Sequence, residues 1–211
     1  MRTDELITAL VADRASPGLS LARKILLALL VGGLLSLCLF LVILGVRHDF
    51  ATALATWRFD LKLVLMLLAL VLAFGVCRAL ARPIAPPHPG RWLLPLLVLA
   101  IAAVATELVL VPAAAWGTRL VGSNALICLS MIPVLSLAPL AALLAALRAA
   151  APPSPVLAGA AAGLLAAAGG AALYALHCFD DSPLFVVTWY TLAALPVVAI
   201  GAVAGHRLLR W

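Results

Sequence analysis

Polar residues in this chain gather in short clusters, and long apolar runs lie between them. Six runs are long enough to cross hydrocarbon as helices: Lys24 to Val46, Leu61 to Leu80, Trp92 to Ala113, Asn124 to Leu147, Val156 to Leu176 and Leu184 to Gly205. A helix of about 20 apolar residues spans a bilayer and pairs its own backbone groups, as lipid demands. A barrel strand would need only about 10 alternating residues. The pattern therefore predicts an all-α polytopic membrane bundle of six transmembrane helices, with spans near 24–46, 61–80, 92–113, 124–147, 156–176 and 184–205. One domain over 23–211 accounts for all of them.

The breaks between runs carry their own chemistry. Pro83, Pro86, Pro87, Pro89 and Gly90 crowd the second connection, and no helix tolerates them together. Ala151-Pro-Pro-Ser-Pro155 separates the fourth and fifth runs, and Asp180-Asp-Ser-Pro183 the fifth and sixth. Pro95, Pro112, Pro133, Pro139 and Pro196 fall within or at the ends of spans, where neighbouring helices must satisfy the carbonyls they free. Gly159-x-x-x-Gly163 and Gly201-x-x-x-Gly205 predict close helix–helix approach, read here as an internal packing face rather than a dimerisation motif.

Composition supports the membrane reading. The chain is 66% hydrophobic and 10% charged, with a mean hydropathy of +1.23; a soluble domain carries about 25% charged residues. The net charge of +6 would suggest nucleic acid in a soluble protein. Here the cations flank apolar runs, so the expectation is orientation in the membrane and no direct nucleic-acid binding. Arg2, Arg14, Arg23, Lys24, Arg78, Arg82, Arg91, Arg148, Arg207 and Arg210 fall on one side, and Arg47, Arg58, Lys62 and Arg119 on the other. The positive-inside rule then puts both termini in the cytoplasm of a bacterial inner membrane, with lipid as a partner along the spans. The first run is read as a retained helix, because it is too long for a signal-peptide core and about 20 residues precede it.

Residues 1–22 read as a short amphipathic helix and a joint. Leu6, Ile7, Leu10 and Val11 form a stripe at helical spacing, and Asp4 and Glu5 suit a first turn. Such a helix can lie on lipid or dock in a protein groove, and the acidic polar face leaves both readings open.

The candidate chemistry gathers at the opposite face. Cys128 lies near the outer end of the fourth run, and Cys178 follows the fifth. Antiparallel neighbours would bring them close, as a disulfide or as a thiol pair. Glu107 is an intramembrane carboxylate, a functional candidate by default, and Arg119 or a hydroxyl would suit it as a partner. His177 adjoins Cys178, and Met131 lies one turn from Cys128. Thiolate and thioether favour copper(I), so Cys128 and Cys178, with Met131, His177 and Glu107 as further ligands, form a weak metal-site candidate, with no certain cofactor. Cys38 and Cys77 read as apolar fillers, and Asp180-Asp181 as a solvated turn. No phosphate-binding loop, HExxH or GxSxG occurs, so no enzyme is expected. A small metal or solute transporter is the alternative of another class.

The run Leu173-Tyr-Ala-Leu-His-Cys-Phe-Asp-Asp-Ser-Pro-Leu-Phe-Val-Val-Thr-Trp-Tyr190 and the closing Gly205-His-Arg-Leu-Leu-Arg-Trp211 resemble the NrsF family, negative regulators of sigma F. So do Arg2-Thr-Asp-Glu-Leu-Ile-Thr-Ala-Leu-Val-Ala-Asp13, Ala53-Leu-Ala-Thr-Trp-Arg-Phe-Asp-Leu-Lys62 and Asn124-Ala-Leu-Ile-Cys128. The resemblance implies an inner-membrane anti-sigma factor. It would hold an extracytoplasmic-function sigma factor and release it under metal or oxidative stress. It also implies that a periplasmic pair, mapped onto Cys128 and Cys178, does the sensing. The sigma-binding element would then be the N-terminal helix, through Asp4, Glu5, Leu6, Ile7, Leu10 and Val11.

Overall fold

The computed structural model describes residues 20–84, 86–150 and 152–209. Asp4, Glu5, Leu6, Ile7, Leu10 and Val11 lie outside the described residues. Six helices are long and apolar enough to cross a membrane: α1 (Leu21–Ile43), α2 (Trp57–Leu80), α3 (Pro89–Leu110), α4 (Ala125–Leu147), α5 (Pro155–Ala175) and α6 (Pro183–Leu208). No strand occurs among the described residues.

Several ends differ from the expected ones, each for a local reason. α1 stops at Ile43 rather than near 46 because Gly45 takes a left-handed φ of 70°. α2 starts at Trp57, not Leu61: the polar first turn with Asp60 is helical, and Asp60 suits a helix N-terminus. α3 ends at Leu110 rather than 113, since Pro112 drives Val111 into an extended conformation. α6 runs past Gly205 to Leu208 and includes a π-helical stretch, Val186–Tyr190.

The small residues decide the packing order. α5, rich in Ala and Gly, is the central helix and packs on α6, α4 and α2. A Cβ on Gly159 would stand 2.2 Å from the Gly201 carbonyl oxygen, and one on Gly201 would stand 2.4 Å from the Gly159 oxygen. Both glycine pairs thus face each other within one chain, and the α5–α6 backbones touch. α1 packs on α4 at a second close approach, where a Cβ on Gly32 would lie 2.4 Å from Pro139 Cα. Pro139 has no N–H to offer Leu135 O, and Ser36 of α1 donates its hydroxyl to that oxygen at 2.6 Å. α3 is peripheral and buries only Ala103 and Glu107 among its described residues.

Two apolar clusters divide the bundle. One holds Ile25, Cys77, Leu143, Leu147, Leu165 and Leu209, toward the end where α2 finishes and α5 begins. The other holds Phe40, Leu65, Cys128, Tyr174, Cys178, Phe185 and Tyr190 at the opposite end. Cys77 is buried as an apolar filler, whereas Cys38 is exposed on the outer surface.

Candidate functional site

The segment from Leu176 to Ser182 joins α5 to α6 and is tied down residue by residue. Leu176 O accepts from Arg47 N at 3.1 Å. His177 Nδ1 lies 3.0 Å from Gly45 O. Cys178 O accepts from Lys62 Nζ at 2.8 Å and from Arg47 Nη1 at 3.2 Å. The Phe179 ring stacks near His48 and lies under the Arg47 guanidinium, 4.8 Å from its centroid. Asp180 accepts from the backbone N–H groups of Ser123 and Asn124, and Asp181 pairs with Lys62 and Arg47. Ser182 Oγ donates to Glu107 at 3.2 Å.

Physical necessity explains the clamp. Lys62 is 1% exposed and Glu107 0%, and an unpaired buried charge is costly. Lys62 projects from the first turns of α2 onto Asp181 and also lies 5.0 Å from the Phe59 ring. Glu107 receives Arg58 Nε at 2.9 Å and Arg119 Nη1 at 2.8 Å. Arg47 also holds Asp49 at 2.7 Å, and this bond keeps the Asp49 carboxyl down at about 2. An open cavity of about 380 Å³ lies over this layer, lined by Arg58, Thr118, Arg119 and Phe179–Ser182.

Asp180-Asp181 is therefore no solvated turn. Asp180 satisfies the orphan donors before α4, the helix that carries Cys128. It thereby ties the two cysteine-bearing elements together. Asp181, itself half-buried, is the counter-ion of the buried Lys62, which the charge pattern along the chain presents only as a marker of orientation. Lys62, Arg47, Asp180 and Asp181 were missed as site residues. The available signal was a lysine inside the helical pattern of α2 and a balance of acids and bases at one end of the chain's spans.

Cys128 and Cys178 are both fully buried, both reduced, and members of the same cluster. The Cys178 thiol donates to Asp180 O at 3.8 Å, and burial pushes it up from its ordinary value against the pull of Lys62. Met131 packs at the edge of this cluster. His177 is turned to Gly45, and Glu107 is taken up by its two arginines, so the five expected residues do not form one ligand set. Among the described residues, no three His, Cys, Asp or Glu side chains converge as metal ligands.

Two residues outside that set do join the cysteines. Tyr174 and Tyr190, with ring centroids 5.8 Å apart, lie in the same cluster. Neither hydroxyl has a hydrogen-bond partner of ordinary geometry.

The architecture is a bundle of six long apolar helices with a charged, clamped thiol layer at one end. Residues 10–211 match the family model described as negative regulator of sigma F. The chain is 36% identical over 216 residues to the anti-sigma-F factor NrsF of Caulobacter vibrioides (strain NA1000 / CB15N), covering all of both chains. It is likewise 36% identical, over 214 residues and the full length of both, to the probable anti-sigma-F factor NrsF of Azospira oryzae. The chain belongs to the NrsF family. No solved structure matches it.

Proposed function

We propose that this chain is an inner-membrane anti-sigma factor that holds an extracytoplasmic-function sigma factor at the cytoplasmic face. It releases that factor when metal or oxidant reaches Cys128 and Cys178 at the periplasmic face. The full-length likeness to relatives named as anti-sigma-F factors carries the first half of this reading. The clamp around Cys178 supports the second.

The clamp also supplies a route. Lys62 grips the Cys178 carbonyl, and α2 runs without a break from there to Leu80. At 1.5 Å per residue that is about 27 Å of rigid helix, enough to cross most of a bilayer. A change in the Cys178 loop that loosens Lys62 shifts α2, and with it the connection around Arg78 and Arg82. Coupling of this kind requires two bundle states with different affinities for the sigma factor. The N-terminal segment, with Leu6, Ile7, Leu10 and Val11 as anchors, is the docking element.

Co-purification with the sigma factors of the same cell tests the reading. The full chain retains one of them, and cadmium or diamide releases it. A chain that retains none refutes the anti-sigma role. Normal release from a Cys128→Ser, Cys178→Ser double variant refutes the thiol trigger. Unchanged retention after deletion of residues 1–15 refutes the docking element.

A further inference from the structure

The cavity of about 380 Å³ over the clamp is walled by both signs of charge, Arg58 and Arg119 with Asp180 and Asp181. Four cations at this end of the bundle, Arg47, Arg58, Lys62 and Arg119, meet four carboxylates, Asp49, Glu107, Asp180 and Asp181. Their pairing is uneven. Asp49 and Asp181 take Arg47 and Lys62, so that group is neutral. Glu107 takes two arginines and leaves one positive charge over. Asp180 takes only neutral donors, from Ser123 and Asn124, and among the described residues no cation pairs with it.

The surplus cation and the surplus carboxylate line the same cavity. Each arginine commits one N–H to Glu107, and their side chains are 29% and 38% exposed, so donors of each guanidinium remain for a ligand. A simple anion would satisfy the arginines and lie beside an uncompensated Asp180. A simple cation would do the reverse. A ligand that carries a phosphodiester and a primary ammonium on a short link answers both. Guanidinium groups bind phosphate oxygens, and the ammonium donates to the carboxylate, as a quaternary ammonium cannot.

A second cavity, deeper in the bundle, identifies the rest of the ligand. It measures about 240 Å³ and is lined by apolar side chains of α2, α3, α5 and α6, Tyr190 and Thr191 apart. Its walls continue the same helix faces. Leu65 follows Arg58 by seven positions on α2, Ala100 precedes Glu107 by seven on α3, and Val186 follows Ser182 by four at the start of α6. Such intervals return to one face of a helix, and seven residues descend about 10 Å. The space is open because α3 is held mainly at its ends. Glu107 anchors one end, and at the other the Trp92 ring lies 3.4 Å from where a Cβ on Gly75 would stand; between them α3 buries only Ala103. Trp57, Trp116 and Trp189 lie at the charged end, as an aromatic belt does at the level of lipid headgroups.

We propose that this end of the bundle holds one phospholipid with a phosphoethanolamine headgroup. Its phosphate lies on Arg58 and Arg119, its ammonium on Asp180, and one acyl chain fills the apolar cavity between α3 and the rest of the bundle. The zwitterion selects the lipid, and the buried chain slows its exchange with the bilayer. The site is separate from the thiol pair and does not depend on the anti-sigma reading.

Native mass spectrometry of the full-length protein in detergent tests the site, with dioleoyl phosphatidylethanolamine, phosphatidylglycerol or phosphatidylcholine added singly at equal concentration. The wild type retains one phosphatidylethanolamine, about tenfold more tightly than either other lipid. Asp180→Asn keeps a capping side chain and removes the charge, so the preference over phosphatidylglycerol disappears. Arg119→Gln weakens phosphatidylethanolamine about tenfold, and Arg119→Lys recovers part of the loss. Glycerophosphoethanolamine, which has the headgroup and no chains, competes only at about a hundredfold higher concentration, because it buries no apolar surface. Thermal unfolding of each variant in lipid-free detergent separates loss of the site from loss of the fold. Equal or tighter retention of phosphatidylglycerol or phosphatidylcholine by the wild type overturns the proposal. So does a preference that survives Asp180→Asn. Competition by glycerophosphoethanolamine at the concentration of the diacyl lipid also overturns it, since the ligand would then be a free soluble zwitterion.

Discussion

Lys62 Nζ donates to the backbone carbonyl of Cys178 at 2.8 Å, across 116 positions of sequence. The acceptor is main chain, so the tie does not depend on the side chain at 178. Substitution of Cys178 removes the thiol and leaves the clamp. Substitution of Lys62 removes the clamp and leaves the thiol. The chemistry at the sulfur and its mechanical connection to α2 are thereby separable.

Lys62→Met destabilises the bundle by about 3 kcal/mol, the lower end for breaking a buried pair, because Asp181 keeps Arg47. Adding Asp181→Asn recovers part of that loss by removing the orphaned carboxylate. Thermal unfolding in detergent reads both effects. Peptide-resolved maleimide labelling then shows faster modification of Cys178 in Lys62→Met than in wild type. Unchanged stability together with unchanged labelling would refute the clamp.

Asp180→Ala weakens a different tie. Its carboxylate accepts from Ser123 N at 3.0 Å and from Asn124 N at 2.9 Å, the place of an N-cap for α4. Loss of a capping carboxylate costs about 1 kcal/mol. The same substitution disconnects the Cys178 loop from the Cys128 helix, so diamide forms the Cys128–Cys178 disulfide more slowly. Oxidation at the wild-type rate would show that Asp180 does not hold the two elements in register.

The glycine contacts give a prediction with an internal control. A Cβ at Gly159 or Gly201 meets backbone oxygen at 2.2 or 2.4 Å, whereas one at Gly33 meets nothing within 4 Å. Gly159→Ala and Gly201→Ala each destabilise by about 2 kcal/mol, because the helices must move apart. Gly33→Ala is neutral or stabilising, by up to about 1 kcal/mol, from helix propensity. Equal midpoints for all three in thermal unfolding would contradict the close packing of α5 on α6.

The six helices were legible because run length and hydropathy are local properties. Glu107 was legible for a related reason: a carboxylate inside an apolar run stands out, and Arg119, one of its two basic partners, lies only 12 residues away. Lys62 was not legible as a site residue. It sits where the second run begins, so it read as a flanking charge, and its partner Asp181 is 119 residues distant. No spacing rule connects them. Tyr174 and Tyr190 were not legible as neighbours of the cysteines, because the cluster they share is assembled from three different helices and the α5–α6 connection. Only the packing of α5 against α6 brings their rings within 5.8 Å of each other.

Ser36 and Pro139 form a pair whose logic can be measured. Pro139 lacks the N–H that would bond Leu135 O within α4, and Ser36 Oγ supplies the missing donor at 2.6 Å. Ser36→Ala leaves that buried carbonyl unsatisfied and costs about 1–2 kcal/mol. Pro139→Ala restores an N–H to the helix, so the carbonyl gains an internal donor and no longer depends on Ser36. In the Pro139→Ala background, Ser36→Ala therefore costs less, and a double-mutant cycle on thermal or denaturant unfolding returns a coupling of about 1 kcal/mol. A coupling of zero would mean that the hydroxyl contributes nothing through Leu135 O. The α1–α4 contact would then rest on the Gly32–Pro139 approach alone, and Gly32→Ala would carry the whole effect.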